Sequence, residues 1–228
     1  KRASIEALAL QSGQAAIDVG CGLGDDARRL AGIVGPGGRV VGVDLSADLL
    51  GEARRRHRGA AGLEFRDGDA RALPFADGSF DGARSERVLQ HIEGPAVAVR
   101  ELARVVGRGG RVVALEPDWR TLAFSGQEAA VGQAVARHAV AHIRNPAAGC
   151  LLAAWFAAAG MVIERVEALP LLSRSFATSE RLCRLQVALE QLEPAAARQW
   201  RAERRREEAE GSFICAMLGV MVVGTRRR

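Results

Sequence analysis

Residues 17–24 read I-D-V-G-C-G-L-G, an apolar run that passes directly into Gly20, Gly22 and Gly24. Three glycines spaced two apart allow the backbone to turn sharply and to approach a ligand that a Cβ would hold away. Twenty residues after the last of them, V-V-G-V-D ends at Asp44. That spacing suits a βαβ unit in which the Asp44 carboxylate stands beside the glycine loop, where it can bind the two hydroxyls of a ribose. The first expectation is therefore a cofactor that contains a nucleoside.

The glycine spacing narrows the choice. A dinucleotide fingerprint is G-x-G-x-x-G, with a pyrophosphate at the helix N-terminus. Here Asp25 stands at the position of its third glycine, and Asp26 follows. Both acids suit the start of a helix dipole and are open to a plain capping role, yet they would repel a pyrophosphate. A cofactor carrying a sulfonium and an ammonium tolerates them.

The stretch D-V-G-C-G-L-G resembles the first motif of the class I S-adenosylmethionine (SAM) dependent methyltransferases, and the resemblance continues in order for about a hundred residues. D-L-S-A-D-L-L from Asp44, L-E-F-R-D-G-D-A-R-A-L-P-F-A-D-G-S-F-D from Leu63, R-S-E-R-V-L-Q-H-I from Arg84 and R-E-L-A-R-V-V-G-R-G-G-R-V-V-A-L-E-P-D-W from Arg100 are similar to successive motifs of the ubiquinone/menaquinone-biosynthesis branch. The resemblance implies that Gly20, Gly22, Gly24, Asp44, Leu45, Leu49, Asp69, Ala70, Ser85 and Glu86 hold SAM and its product S-adenosylhomocysteine. In that reading Asp69 accepts from the adenine amino group, the Ala70 backbone holds the ring, and Leu49 lies on it.

The implied fold is α/β: a Rossmann-like, seven-stranded, mostly parallel sheet with helices on both faces. Strands are expected near 14–19, 39–44, 63–67, 80–85, 110–116 and 161–168, separated by helix-length segments. A last strand over 213–225 would enter antiparallel between the fifth and sixth. Glycine turns at 35–38 and 107–110 would precede the second and fifth strands. The ligand belongs at the carboxyl ends of the strands. One domain over 1–228 is expected, with a cofactor half of about 1–118. Excursions over 119–160 and 171–210 would build the acceptor pocket, and the short N-terminal part suggests that some lid is missing from this numbering.

The chemistry expected is methyl transfer to an oxygen, nitrogen or carbon atom of a small molecule. His91, placed at the start of a helix after the fourth strand, is the candidate base, or else a capping or packing residue. Glu116 and Asp118 are candidates to orient it or to bind the acceptor, although Asp118 after Pro117 also reads as a turn residue. Arg87 is open to pairing with an acidic substrate or with Glu86 or Glu116. Trp119, His142 and Asn145 are candidate pocket residues. His138 and His142 share one face of a helix read over 127–143, but no third ligand supports a metal, and none is expected.

Composition excludes other classes. The 228 residues are 48% hydrophobic and 26% charged, within the range of ordinary globular chains. No apolar run reaches the roughly 20 residues of a membrane span. Four scattered cysteines fit unpaired thiols in a reducing cytoplasm. The net charge of +5 invites a nucleic-acid reading. The densest basic cluster, 198–210, sets five arginines against four glutamates, however, and aromatics are only 4% of the chain. Nucleic acid is thus an unfavoured partner, since phosphate tracking needs an unbalanced basic patch and stacking needs exposed aromatics. An RNA methyltransferase, or a SAM-binding protein with a regulatory or cyclising role, stays as an alternative. A monomer or homodimer is expected.

Overall fold

The computed structural model describes residues 2–126 and 129–227. The element order is α1 (Arg2–Ala7), β1 (Ala15–Val19), α2 (Asp25–Val34), β2 (Arg39–Asp44), α3 (Ala47–Arg56), β3 (Leu63–Asp67), β4 (Phe80–Glu86), α4 (Pro95–Val105), β5 (Val106–Phe124), α5 (Ala129–Ala141), α6 (Ala148–Ala158), β6 (Met161–Ser173), α7 (Phe176–Leu182), α8 (Leu185–Leu189), α9 (Pro194–Ala209) and β7 (Cys215–Arg226). Seven strands form one sheet in the order β3-β2-β1-β4-β5-β7-β6. Only β7 runs antiparallel to its neighbours, β5 and β6, as the sequence led one to expect.

Alternation along the strands sends side chains to two cores. Ile17 and Val19 of β1 and Val41 and Val43 of β2 face α4 and α6, whereas Ala16 and Val40 face α1, α2 and α3. In α2 the buried residues Ala27, Leu30, Ala31 and Val34 follow the 3.6-residue period that lays one stripe on the sheet. Asp25 and Asp26 in its first turn complement the helix dipole, and Gly35 at φ 65° ends it. A third core gathers Trp119 and Leu122 of β5 with α5, α7, α8 and α9 and the residues entering β7. It forms a cap at the carboxyl edge of the parallel strands.

Several boundaries differ from the sequence reading. The Gly107–Gly110 turn lies inside β5: Phe80 pairs with Val106 and Gly82 with Arg111, so the intervening residues loop out as an irregularity of the ladder. No helix separates β3 from β4. Residues 68–79 instead run as a loop whose Phe75 and Leu73 carbonyls accept from the Arg104 guanidinium of α4. Strand β5 continues to Phe124 because antiparallel β7 supplies it with ladder partners beyond the parallel sheet. Helix α5 ends at Ala141, which places His142 in a turn. Gln127, taken as the start of that helix, lies outside the described residues.

Helix α6 is seated on β5 through a glycine. A Cβ at Gly149 would lie 2.7 Å from the Glu116 carbonyl oxygen and 3.1 Å from the Asp118 nitrogen, both backbone atoms that cannot rotate away. Gly149→Ala should therefore destabilise the protein by about 1–3 kcal/mol, although alanine is the better helix former by about 1 kcal/mol. Urea unfolding measures this, and a variant as stable as the parent would mean that the helix can move off the strand freely.

Candidate functional site

The strand order reverses beside β1, which has β2 on one side and β4 on the other. At the carboxyl ends of such strands a crevice opens. Here it is a cavity of about 760 Å³, within the range of roughly 300–1,000 Å³ usual for small-molecule sites. Its walls include the glycine loop after β1, the turn after β4, Pro117 and Trp119 of β5, His142 and Ile143 after α5, residues 170–173 of β6, the α7–α8 junction, and Cys215 and Met217 of β7.

Gly20, Gly22 and Gly24 all adopt positive φ, at 75°, 54° and 80°. A Cβ on Gly20 would stand 2.1 Å from Val88 Cγ2, and one on Gly24 would stand 2.4 Å from Phe65 Cζ, whereas one on Gly22 would meet no atom within 4 Å. The outer two glycines are therefore required by packing, and Gly22 keeps the loop open towards the cavity. Asp44 fixes the loop: its Oδ2 accepts from Gly22 N at 2.8 Å and its Oδ1 from Ser46 N at 3.0 Å.

Behind the loop lies an ion cluster that the sequence reading missed. Arg84 of β4, paired in register with Asp18 of β1, donates to Asp18 Oδ1 at 2.8 Å, Asp26 Oδ2 at 3.2 Å, Glu86 Oε2 at 2.5 Å and Ser4 Oγ at 3.0 Å. All four charged side chains are at most 7% exposed. Burial pushes the Asp18 carboxyl up, against the pull of Arg84. Burial likewise opposes the Arg84 cation, but the three acids more than offset it and hold its pKa above the ordinary value. Among the described residues Asp18 Oδ2 has no hydrogen-bond partner, and Asp18 lines the cavity with Asp25, Asp26 and Glu86. An arginine inside a strand was the available signal, because a cation buried in a central strand needs an acid on the adjacent strand.

The turn after β4 is held by groups drawn from β5 and from the segment between α5 and α6. Glu116, fully buried at the end of the parallel part of β5, accepts from Val88 N at 2.7 Å and Leu89 N at 2.8 Å through Oε1, and from Gln90 N at 3.3 Å through Oε2. Asn145 Nδ2 donates to the Leu89 carbonyl at 2.8 Å and the Ile92 carbonyl at 2.7 Å, and Asn145 N donates to the Gln90 carbonyl. Trp119 Nε1 donates to Gln90 Oε1, a cavity residue the sequence reading also missed.

Held this way, the turn presents Arg87 and His91 to the cavity. Arg87 has φ 59°, a left-handed conformation costing about 1–3 kcal/mol in a non-glycine residue; its N–H bond to the Leu115 carbonyl at 2.9 Å keeps it there. His91 lies in the turn, not at a helix start, since Gly94 in the left-handed region and Pro95 begin α4 four residues later. Burial, and then the Arg87 guanidinium, hold the His91 pKa below its ordinary value.

Of the other expected site residues, Glu86, Trp119 and His142 line the cavity. Glu116, Asp118 and Asn145 do not: Glu116 and Asn145 are spent on the turn, and Asp118, 1% exposed, binds Arg120 through both oxygens. Leu45 and Leu49 are exposed, 70% and 39%, just beyond Asp44 at the carboxyl end of β2. At the end of β3, Ala70 is buried while Asp69 accepts from the Arg71 side chain and backbone. Ser85 is buried at the end of β4, and its hydroxyl has no hydrogen-bond partner among the described residues. Among the described residues no group of three His, Cys, Asp or Glu is placed to hold a metal, and no helix is long and apolar enough to cross a membrane.

The strand order, the antiparallel last strand and the glycine loop at the switch point define a class I SAM-dependent methyltransferase fold. Residues 17–114 match the family described as "Methyltransferase domain". It is 41% identical over 167 residues to an uncharacterised 37.1 kDa protein of a Streptomyces fradiae transposon, covering 73% of this chain and 48% of that one. It is 39% identical over 116 residues to the 2-phytyl-1,4-naphtoquinone methyltransferase of Thermosynechococcus vestitus, covering 51% and 52%. The chain thus spans about half the length of the curated relatives it matches. Among solved structures, a candidate methyltransferase from Bacillus halodurans superposes with a TM-score of 0.68 at 18% identity, over 100% of this chain and 98% of that one, a likeness of fold.

Glu116 carries a pH prediction. Burial raises its pKa to about 7, against its three backbone N–H bonds. A folded-state pKa above the unfolded value of about 4.3 means that the group's contribution to stability is fully present at low pH and is lost as pH rises through about 7. Glu116→Gln cannot titrate. Between pH 5 and pH 8 the stability of the parent should therefore fall relative to the variant by about 1–3 kcal/mol, measured by urea unfolding at both pH values; a constant difference would exclude the shift.

Proposed function

We propose that the protein transfers a methyl group from SAM to an oxygen, nitrogen or carbon atom of a small molecule. One observation carries this reading. An open glycine loop faces a cavity whose wall carries Asp18, Asp25, Asp26 and Glu86, the first, third and fourth of them bonded to the buried Arg84. Net negative charge there suits a cofactor with a sulfonium and an ammonium and opposes a pyrophosphate. The unpartnered Asp18 Oδ2 and the space in front of Gly22 fit such a cation and the close approach of its chain.

In this reading Gly20, Gly22 and Gly24 shape the loop, Asp44 binds the ribose hydroxyls, Leu45 and Leu49 cover the adenine, and Asp69 and Ala70 meet its edge. Ser85 and Glu86 close the methionine end. When bound, SAM supplies an electrophilic methyl group on a positively charged sulfur. His91, neutral at physiological pH because its pKa is depressed, takes the proton of an O–H, N–H or C–H acceptor as the new bond to the methyl carbon forms and the carbon–sulfur bond breaks. Trp119, His142 and Arg87 bound the acceptor. Glu116 and Asn145 act by holding the turn that carries Arg87 and His91. The chain works as one domain, with 1–118 for the cofactor and 119–160 and 171–210 for the acceptor, in a cytoplasmic setting that its free cysteines favour. Nucleic acid is not the acceptor in this reading.

Calorimetry with SAM and S-adenosylhomocysteine tests the cofactor assignment, with micromolar binding of both expected and no binding of either overturning it. Asp44→Ala should weaken SAM by at least about 100-fold, because two charge-assisted hydrogen bonds of about 1.5–3 kcal/mol each are lost. His91→Ala should lower turnover about 10²-fold or more and remove the titration from the pH–rate profile while leaving SAM affinity intact. An unchanged rate would make His91 a packing residue.

A further inference from the structure

The cavity wall carries charges of both signs. All four carboxylates in its wall belong to β1, the start of α2 and the end of β4, where Arg84 bridges three of them. The remaining basic groups in the wall are Arg87, His91, His142 and Arg184. Glu86, next in sequence to Arg87, is occupied by Arg84. The side chains of Arg87 and Arg184 form no hydrogen bond or ion pair among the described residues, and both residues adopt left-handed backbone conformations, φ 59° and 50°. The backbone contacts of the turn and the packing of Cys183 and Leu185 hold those conformations, and both guanidinium groups are left exposed at the cavity to meet a ligand. Arg87 also depresses the His91 pKa, as an uncompensated cation does.

Next to these cations the wall is apolar. Leu171, Leu172, Leu182 and Met217 line the same cavity, with Leu172 and Leu182 58% and 53% exposed. Large aliphatic side chains left open beside unpaired guanidinium groups match an amphipathic ligand.

We infer that the methyl acceptor is a small molecule with an apolar body and an anionic group, a carboxylate, sulfonate or phosphate, held by Arg87 and Arg184 against the leucine wall. This rests on the cofactor reading above, which assigns the carboxylates of the wall to SAM and leaves Arg87 and Arg184 for the acceptor. The fixed cations would also orient the acceptor, with its anion at the arginines and its nucleophilic atom turned to the methyl group of SAM.

Two matched naphthalene probes test this on the protein saturated with S-adenosylhomocysteine: anionic 8-anilino-1-naphthalenesulfonate and neutral N-phenyl-1-naphthylamine, both followed by fluorescence. The anion should bind at one site with a preference of at least about tenfold over the neutral probe. In the double variant Arg87→Gln/Arg184→Gln that preference should vanish, while neutral-probe and S-adenosylhomocysteine affinities stay within about twofold. Equal affinities of the two probes for the parent, or a preference that survives in the variant, overturn the anion assignment alone. S-adenosylhomocysteine binding lost in Arg87→Gln would give that arginine to the cofactor's carboxylate and also overturn it. A parent protein that binds no S-adenosylhomocysteine fails at the earlier step, the cofactor reading itself.

Discussion

A buried arginine in the middle of a parallel sheet organises this molecule. Arg84 cannot leave water without compensation, since an unpaired buried charge costs several kcal/mol, and its partners come from four separate elements: Ser4 of α1, Asp18 of β1, Asp26 of α2 and Glu86 of β4. Meeting that requirement fixes the β1–β4 register and pins the start of α2 immediately after the glycine loop. Among the described residues the same cluster leaves Asp18 Oδ2 without a hydrogen-bond partner. The constraint that assembles the fold therefore also sets the sign of the field at the mouth of the glycine loop.

A second constraint works beside the first and is of a different kind. Glu116 and Asn145 bind backbone atoms of the turn after β4, not side chains of the cavity wall. Backbone partners fix the path of a segment whatever side chains it carries. With Trp119 on Gln90, they hold Arg87 in a conformation that an isolated chain would rarely visit. The polar residues closest to the cavity in sequence thus serve it from behind.

The cofactor half was legible because its signals are local. The glycine spacing, the strand ending at Asp44 and the stripe of α2 each need only a few neighbouring residues to be read. Arg84 was legible in principle, as a charge inside F-D-G-A-R-S-E facing a strand whose one acid is Asp18. The extension of β5 past Pro117 was not, because its ladder partner β7 lies about a hundred residues away and the proline reads as a stop. Asn145 shows the same limit: its position after α5 resembles a pocket lining, and only the folded chain reveals that its amide reaches the Leu89 and Ile92 carbonyls.

The cap is the hardest part to read, for a physical reason. Its core of Trp119, Val135, Phe176, Leu185, Trp200 and Phe213 is assembled from helices that are short or weakly patterned, each leaning on the others and on the projecting ends of β5 and β7. No single period in the sequence announces such a cluster, since each helix buries only what its neighbours happen to cover. Arg184 illustrates the consequence. Its left-handed backbone separates α7 from α8 and leaves Cys183 and Leu185 buried on either side while the arginine itself stays exposed at the cavity. Packing of the two flanking residues sets where that cation stands. In this chain the carboxylates of the cavity wall, with Arg87 and His91, follow from local sequence at the strand ends, and His142 and Arg184 follow from how the cap closes over them.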